Sequence, residues 1–248
     1  MSYKRYLVLP DPHCPYHDRA ALEGLVIGTV FDQVPFDGVV ILGDWFDNYG
    51  ISTFTKTPNR LRGLKEELAI GFELLKSFEI PRIKHRIFIE GNHERRLPKF
   101  LSDHAPAVYE IMMEWWKERF TKWEYVPYME DTSLGKLFIT HDVGRSGEHS
   151  TKQTLHDYQD NVIIGHNHLF DYTVRANAKG KSHVGASFGW LGDVNQIDYR
   201  HRMKSRKDWI HGFGTLLVRE DGLVHVRPHP IIKKSCEVDG VIYTYKGR

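Results

Sequence analysis

Cysteine is nearly absent: Cys14 and Cys236 are the two in 248 residues. That excludes a disulfide framework and favours a reducing compartment. No apolar run approaches the ~20 residues of a membrane-spanning helix. The opening Met1-Ser2-Tyr3-Lys4-Arg5-Tyr6 leads into an apolar stretch too short for a secretory signal. A cytoplasmic protein with no membrane partner is therefore expected. An excess of either charge is also missing, with 34 Lys and Arg against 32 Asp and Glu. This balance neither requires nor excludes nucleic acid, since a local basic patch needs no net excess. There is no low-complexity tract and no repeat of fixed period. With 41% hydrophobic and 27% charged residues the composition is that of an ordinary folded chain. Its length suits one α/β domain over residues 1–248.

Histidine, by contrast, is plentiful: 15 residues, several at the ends of short apolar runs. The clearest run is Val39-Val40-Ile41-Leu42-Gly43-Asp44-Trp45-Phe46-Asp47. Four apolar residues read as a buried strand, Gly43 frees the backbone where it ends, and a carboxylate follows. Ligands of open α/β sheets bind beyond the carboxyl ends of the strands.

Four other runs follow the same plan. Tyr6 to Pro10 leads to Asp11-Pro12-His13, and His85 to Ile89 leads to Glu90-Gly91-Asn92-His93-Glu94. Leu137 to Thr140 leads to His141, and Val162 to Ile164 leads to Gly165-His166-Asn167-His168. Between them, Asp18 should cap a helix beginning near Ala20, and a second helix is expected over about 61–78. Residues 95–127 read as mostly helical with a break near Ala105-Pro106, forming a helical insertion or cap. Strand patterns at 169–174, 183–188, 213–218, 224–226 and 241–245 suggest a second sheet packed on the first.

Taken singly, a strand-end Asp is a helix cap and a lone His a surface residue. Five successive strand ends carrying Asp, Asn or His make coincidence a poor account. Such a set can hold two divalent ions roughly 3.5–4 Å apart, the arrangement that clamps both oxygens of an in-line displacement at phosphorus. Mixed carboxylate, carboxamide and imidazole donors suit Mn²⁺, Fe²⁺, Co²⁺ or Zn²⁺ better than an all-oxygen Mg²⁺ site. If the Asp11/His13 and His166/His168 segments are extended, each pair points one way.

These blocks resemble the calcineurin-like metallophosphoesterases, whose pattern is D-x-H, G-D-x-x-D, G-N-H-[DE], a lone His and G-H-x-H. All five occur in that order between residues 11 and 168. The resemblance implies a four-layer α/β/β/α sandwich of two mixed β-sheets flanked by helices. It implies two divalent cations, Mn²⁺ foremost, with Fe, Zn, Co, Ni or Mg as alternatives. Asp11, His13 and His168 would ligate one, Asn92, His141 and His166 the other, and Asp44 would bridge. The attacking group would be a hydroxide held between the metals. His93 would serve as general acid, with Asp47 orienting it and raising its pKa.

The chain departs from the protein-phosphatase branch directly after Asp47. Where that branch has an Arg that grips a phosphomonoester, this sequence has Asn48 and Tyr49. A phosphodiester of a nucleotide or nucleic acid is therefore the favoured substrate. Alternatives are a phosphomonoesterase or protein phosphatase, and a non-catalytic module whose metals organise a binding surface. The intact His93 speaks against the latter. Asn48, Tyr49 and Arg95 are candidates for substrate contact. Arg202 and Arg206 are candidates too, in the basic, aromatic stretch 199–209, whose charges suit phosphates and whose rings suit bases. Homo-oligomer formation is compatible with the sequence.

Overall fold

Alternation along β1 (Tyr3–Leu9) sends its side chains into two separate cores. Leu7 and Leu9 enter one apolar cluster, Tyr6 and Val8 another. The same parity holds in β2 (Gly38–Ile41), where Val39 and Ile41 face the first cluster and Val40 the second. In β3 (His85–Ile89), Phe88 faces the first, and Ile87 and Ile89 the second. A sheet with two apolar faces must be covered on both. Each fully buried aliphatic side chain contributes roughly 1.5–3 kcal/mol to keeping it so.

The computed structural model describes residues 2–58, 60–197 and 209–247. The first sheet has six strands. β1, β2, β3 and β4 (Glu124–Val126) run parallel, β10 (Gly212–Arg219) pairs antiparallel with β1, and β11 (Val224–Pro230) pairs antiparallel with β10 at the far edge. The second is a five-stranded mixed sheet ordered β5-β6-β7-β9-β8. Its strands are β5 (Asp131–Ser133), β6 (Phe138–Thr140), β7 (Val162–Ile164), β8 (Phe170–Ala176) and β9 (Ser182–Phe188). Ile139, Ile163, Ala186 and Phe188 meet Val8, Val40 and Ile89 between the sheets.

The outer layers are helical. α1 (Ala20–Phe31, wound as a π-helix), α2 (Leu64–Lys76), α3 (Arg96–His104) and α4 (Tyr109–Glu118) place Leu22, Leu25, Leu68, Leu97 and Trp116 on the outer face of the first sheet. α5 (Ser150–Tyr158) covers the second through Leu155 against Val162 and Ile164. The result is an α/β/β/α sandwich, as expected. Asp18 does cap α1, accepting from the Ala21 amide at 2.9 Å. Among the described residues no helix is long and apolar enough to cross a membrane.

Two expectations need correction. The strands at 212–219 and 224–230 extend the first sheet rather than the second, because β10 pairs with the open edge of β1, and Val241–Thr244 joins neither, pairing with Ser235–Val238 in a two-stranded sheet of its own. A period of two says that a strand is half-buried, not which sheet buries it. Within 95–127 the helices break at Ala105 as expected, but Glu124–Val126 is strand β4 at the sheet's edge. Its neighbours Trp116, Phe120 and Trp123 lie in the first core, where Phe120 and Trp123 contact Phe88.

Candidate metal centre

The loops leaving β1, β2, β3, β6 and β7 converge at one edge of the sandwich. Backbone pairing locks the first two together: His13 N–H donates to Asp44 O, Cys14 to Trp45 O and Asp47 to Cys14 O, at 2.7–2.9 Å. Glu94 ties in the third. Its buried carboxyl accepts from the amides of Asp44 (3.0 Å), Phe46 (2.7 Å) and Gly91 (2.7 Å). The fifth joins through His166 N–H to Asp11 Oδ1 at 2.9 Å.

Several residues named as ligands adopt a left-handed backbone: φ is 42° at Asp11, 54° at His13, 48° at Asp44, 66° at His166 and 56° at His168. The extended reading of the 11–13 and 166–168 segments is therefore wrong, since tight turns aim these side chains. The conformation costs about 1–2 kcal/mol for a non-glycine residue and persists only where surroundings hold it. Gly43, at φ 90°, is needed for space as well: a Cβ there would lie 2.1 Å from His141 Nδ1.

Two clusters of side chains share one carboxylate, and a third group, His13, Asp47 and His93, adjoins the first through His13. Asp11, His13, Asp44 and His168 form the first, and Asp44, His141 and His166 the second. His168 Nε2 lies 3.6 Å from Asp11 Oδ1 and 3.1 Å from His13 Nε2. His141 Nε2 lies 3.4 Å from Asp44 Oδ1 and 3.3 Å from Asn92 Oδ1, and His166 Nδ1 is 2.8 Å from the same amide oxygen. His141 Nδ1 donates to Leu42 O at 2.7 Å, which leaves Nε2 to face the cluster as a ligating nitrogen must.

The donor set fits divalent cations. Asp11 Oδ2 and His168 Nδ1 are buried without a hydrogen-bond partner among the described residues. Two imidazole nitrogens approach to 3.1 Å, which calls for a proton or a cation between them. Burial pushes Asp11 up to about 7, against the pull of His141 and His13. Asp44 and Asp11 outweigh burial and push His141 up to about 10. Protons thus hold together a concentration of carboxylate charge that bound metal would neutralise instead.

Beside the clusters stands His93. Its Nδ1 donates to Asp47 Oδ1 at 2.6 Å, its backbone amide to Asp44 Oδ1 at 2.9 Å, and its Nε2 lies 3.8 Å from Asp44 Oδ2. The hydrogen bond to Asp47 raises the pKa of His93, as expected, but the net shift is downward. Burial lowers it, Arg96 and His13 add to the lowering, and Asp44 and Asp47 do not make up the difference. Asp47 itself is held far below the usual carboxylate range by His13 and His93, despite its burial.

Of the substrate candidates, Asn48 and Tyr49 are corrected. Both are buried: Asn48 supports the His93 carbonyl at 3.1 Å, and Tyr49 N–H donates to Glu67. Arg95 is exposed at the rim. Arg202 and Arg206, with the rest of 198–208, lie outside the described residues.

Three of four supporting groups, Arg60, Glu94 and Glu67, are not anticipated from the sequence; Arg96, which follows the motif, is anticipated only as nearby positive charge. Arg96 Nη2 donates to His93 Nε2 at 2.9 Å and Nη1 to Asp47 O at 2.7 Å. Arg60 Nη2 donates to Asp47 Oδ2 at 2.9 Å, its guanidinium 4.3 Å from the ring centres of both Tyr16 and Tyr49. Glu94 and Glu67 are buried acids that anchor loop amides. The one signal was proximity: Glu94 and Arg96 lie within three residues of His93.

No family model matches the chain. It is 27% identical to the Gene 54 protein of Mycobacterium phage D29 over 260 residues, covering 97% of this chain and 98% of that one. It is also 27% identical to the Gene 54 protein of Mycobacterium phage L5 over 270 residues, with the same coverage. Among solved structures, a metallophosphoesterase from Sphaerobacter thermophilus aligns with 93% of this chain and 89% of its own, at TM-score 0.47 and 17% identity. A phosphatase from Mycoplasma pneumoniae aligns over 92% and 95% at TM-score 0.45 and 10% identity. Likenesses this distant say nothing of individual side chains, whose roles rest on the geometry of the site itself.

Proposed function

We propose that this chain, whose fold is that of the calcineurin-like metallophosphoesterases, hydrolyses phosphodiesters of nucleotides or nucleic acid with two divalent cations. The observation that carries metal-dependent phosphoester hydrolysis is the meeting of two ligand clusters at Asp44, with an imidazole alongside. Asp11, His13 and His168 would hold one cation, Asn92, His141 and His166 the other, and Asp44 both. Such a pair, when bound, lowers the pKa of water and offsets charge on the phosphoryl oxygens. Manganese is the favoured ion on its match to nitrogen and oxygen donors, with Fe, Zn, Co, Ni or Mg as alternatives. The two buried, unpaired cysteines suit a reducing compartment and so a cytoplasmic setting.

The chain's own contribution is placement and proton delivery. Asp47 fixes the ring of His93 through Nδ1, and Nε2 faces the shared carboxylate and Arg96. Nε2 accepts from Arg96 in this structure, so for His93 to protonate a departing oxygen Nε2 must take up a proton and Arg96 give up that hydrogen bond. The imidazolium so formed, buried and beside Arg96, is a stronger acid than an exposed one. The pair Asp47–His93 also argues against a purely binding role, since neither belongs to the proposed ligand set.

A phosphodiester is favoured because Asn48 stands where protein phosphatases carry an Arg, and Asn48 is turned under the site. The second reading, a phosphomonoesterase, has Arg96 in its favour: its guanidinium reaches the His93 ring from another element and could serve a dianion. Turnover with Mn²⁺ of bis-p-nitrophenyl phosphate, p-nitrophenyl phosphate, cyclic nucleotides and end-labelled DNA tests the ranking. Preference for the monoester reverses it, and no turnover of any ester rejects both.

A further inference from the structure

A cavity of about 270 Å³ opens beside the metal-ligand clusters, on the side where His93 and Arg96 stand. One wall is the loop through Ser52 and Thr53, the other is α3 with Arg95, Lys99 and Phe100. Asn92, one of the proposed metal ligands, forms its inner end, so the cavity and the candidate centre are continuous. Three cations, Arg95, Arg96 and Lys99, line it against one carboxylate, Asp103. Arg96 is engaged with His93 and Asp47, but Arg95 and Lys99 are exposed and form no side-chain ion pair among the described residues. Helical spacing explains their alignment: positions 95 and 99 are four apart and project from one face. Phe54, 69% exposed, stands near the Arg96 guanidinium at 5.9 Å.

We infer that this cavity is a subsite for a second phosphate, carried on the leaving group of the substrate. The inference rests on the proposed hydrolytic function and deepens it. If His93 protonates the departing oxygen, whatever is bonded to that oxygen must leave past His93, toward the cavity. Arg95 and Lys99 are placed to meet a phosphate there, in a cavity that Ser52 and Thr53 also line, with Ser52 Oγ accepting from Lys56 Nζ at 2.7 Å. The volume is below that of typical small-molecule pockets, ~300–1,000 Å³, and so suits part of a substrate rather than a whole ligand. The exposed Phe54 ring near Arg96 suits a base on the same leaving group. The substrate class this selects is a nucleotide or polynucleotide with phosphates on both sides of the departing sugar oxygen.

The test uses the full chain with Mn²⁺ and four substrates: bis-p-nitrophenyl phosphate, the dithymidine monophosphate TpT, and its derivatives phosphorylated at the 5′ end (pTpT) or the 3′ end (TpTp). Products are separated by chromatography. One phosphorylated dimer should be cut at its internal diester with kcat/KM at least ~10-fold above TpT. Arg95→Glu and Lys99→Glu, both at exposed positions, should remove most of that gain and lower bis-p-nitrophenyl phosphate turnover far less. Equal kcat/KM for the three dimers, or a gain that survives both substitutions, overturns the subsite while leaving hydrolysis standing. Absence of turnover on all four, or release of terminal phosphate alone, instead overturns the phosphodiesterase reading.

Discussion

Asp47 Oδ1 lies 2.6 Å from His93 Nδ1, and this contact orients an imidazole whose other nitrogen faces the carboxylate shared by both ligand clusters. Because the proton on Nδ1 is committed to Asp47, chemistry falls to Nε2, which here accepts from Arg96. Replacing His93 with Asn should leave bound manganese nearly unchanged, since His93 is not among the proposed ligands. Turnover should fall by roughly 10²–10⁴, the usual scale of general acid–base assistance. Metal analysis and steady-state kinetics on the same preparation check this. Unimpaired hydrolysis would remove His93 from its role.

Asp44 is the one side chain common to both clusters. Asp44→Asn should therefore reduce bound metal from two ions per chain to one or fewer. Mn²⁺ should raise the melting temperature of the chelator-treated wild type, as any ligand of the native state does: about 2.7 kcal/mol at a hundredfold excess over Kd. The rise should largely vanish in the variant. A full complement of two ions in Asp44→Asn contradicts the shared-ligand assignment.

Glu94 accepts three buried backbone amides from three loop positions. Burial and the neighbouring Asp44 push its carboxyl up to about 8. A neutral isostere should thus be tolerated better than truncation. Glu94→Gln presents an amide N–H₂ toward one donor and should cost about 1–3 kcal/mol, and Glu94→Ala strands all three and should cost more. Urea melts of the metal-loaded proteins give the order; equal stability of the two variants would contradict it.

Glu67 supplies a pH dependence away from the ligands. Burial first, then the charge of Asp47, pushes it up to about 7 from an ordinary 4.5. Below 4.5 it is protonated folded or unfolded and contributes no slope. As pH rises from about 4.5 to 7 the unfolded chain ionises while the native one holds its proton, so stability falls. Above 7 the loss is complete, on the order of 3 kcal/mol. Glu67→Gln should flatten this segment of the stability–pH curve measured by urea unfolding. An unchanged slope would show that Glu67 titrates normally.

Much of the centre was legible in one dimension. Metal chemistry needs specific side chains, and strand ends mark themselves by apolar runs followed by glycine, so Asp11, Asp44, Asn92, His141 and His168 stood out unaided. Their backbone conformations did not. The left-handed φ at His13 goes with pairing to the Asp44 loop and that at Asp11 with pairing to Leu191, which no local pattern encodes. Asn48 and Tyr49 illustrate the opposite error: adjacency to Asp47 suggested the groove, but the turn after Asp47 buries both.

The sequence by itself determined that five strand ends would present metal-ligating groups, and that the sheets would carry two apolar faces. Both are local, since side-chain chemistry and a period of two are written residue by residue. Only the tertiary structure decided that β10 lies beside β1 with β11 beyond it, that Glu94 fastens the loop after β2 to its own, and that Arg96 rather than a residue after Asp47 reaches the His93 ring. Those relationships depend on how distant segments pack, and an arginine or a glutamate reads the same in the chain wherever its partner comes to rest.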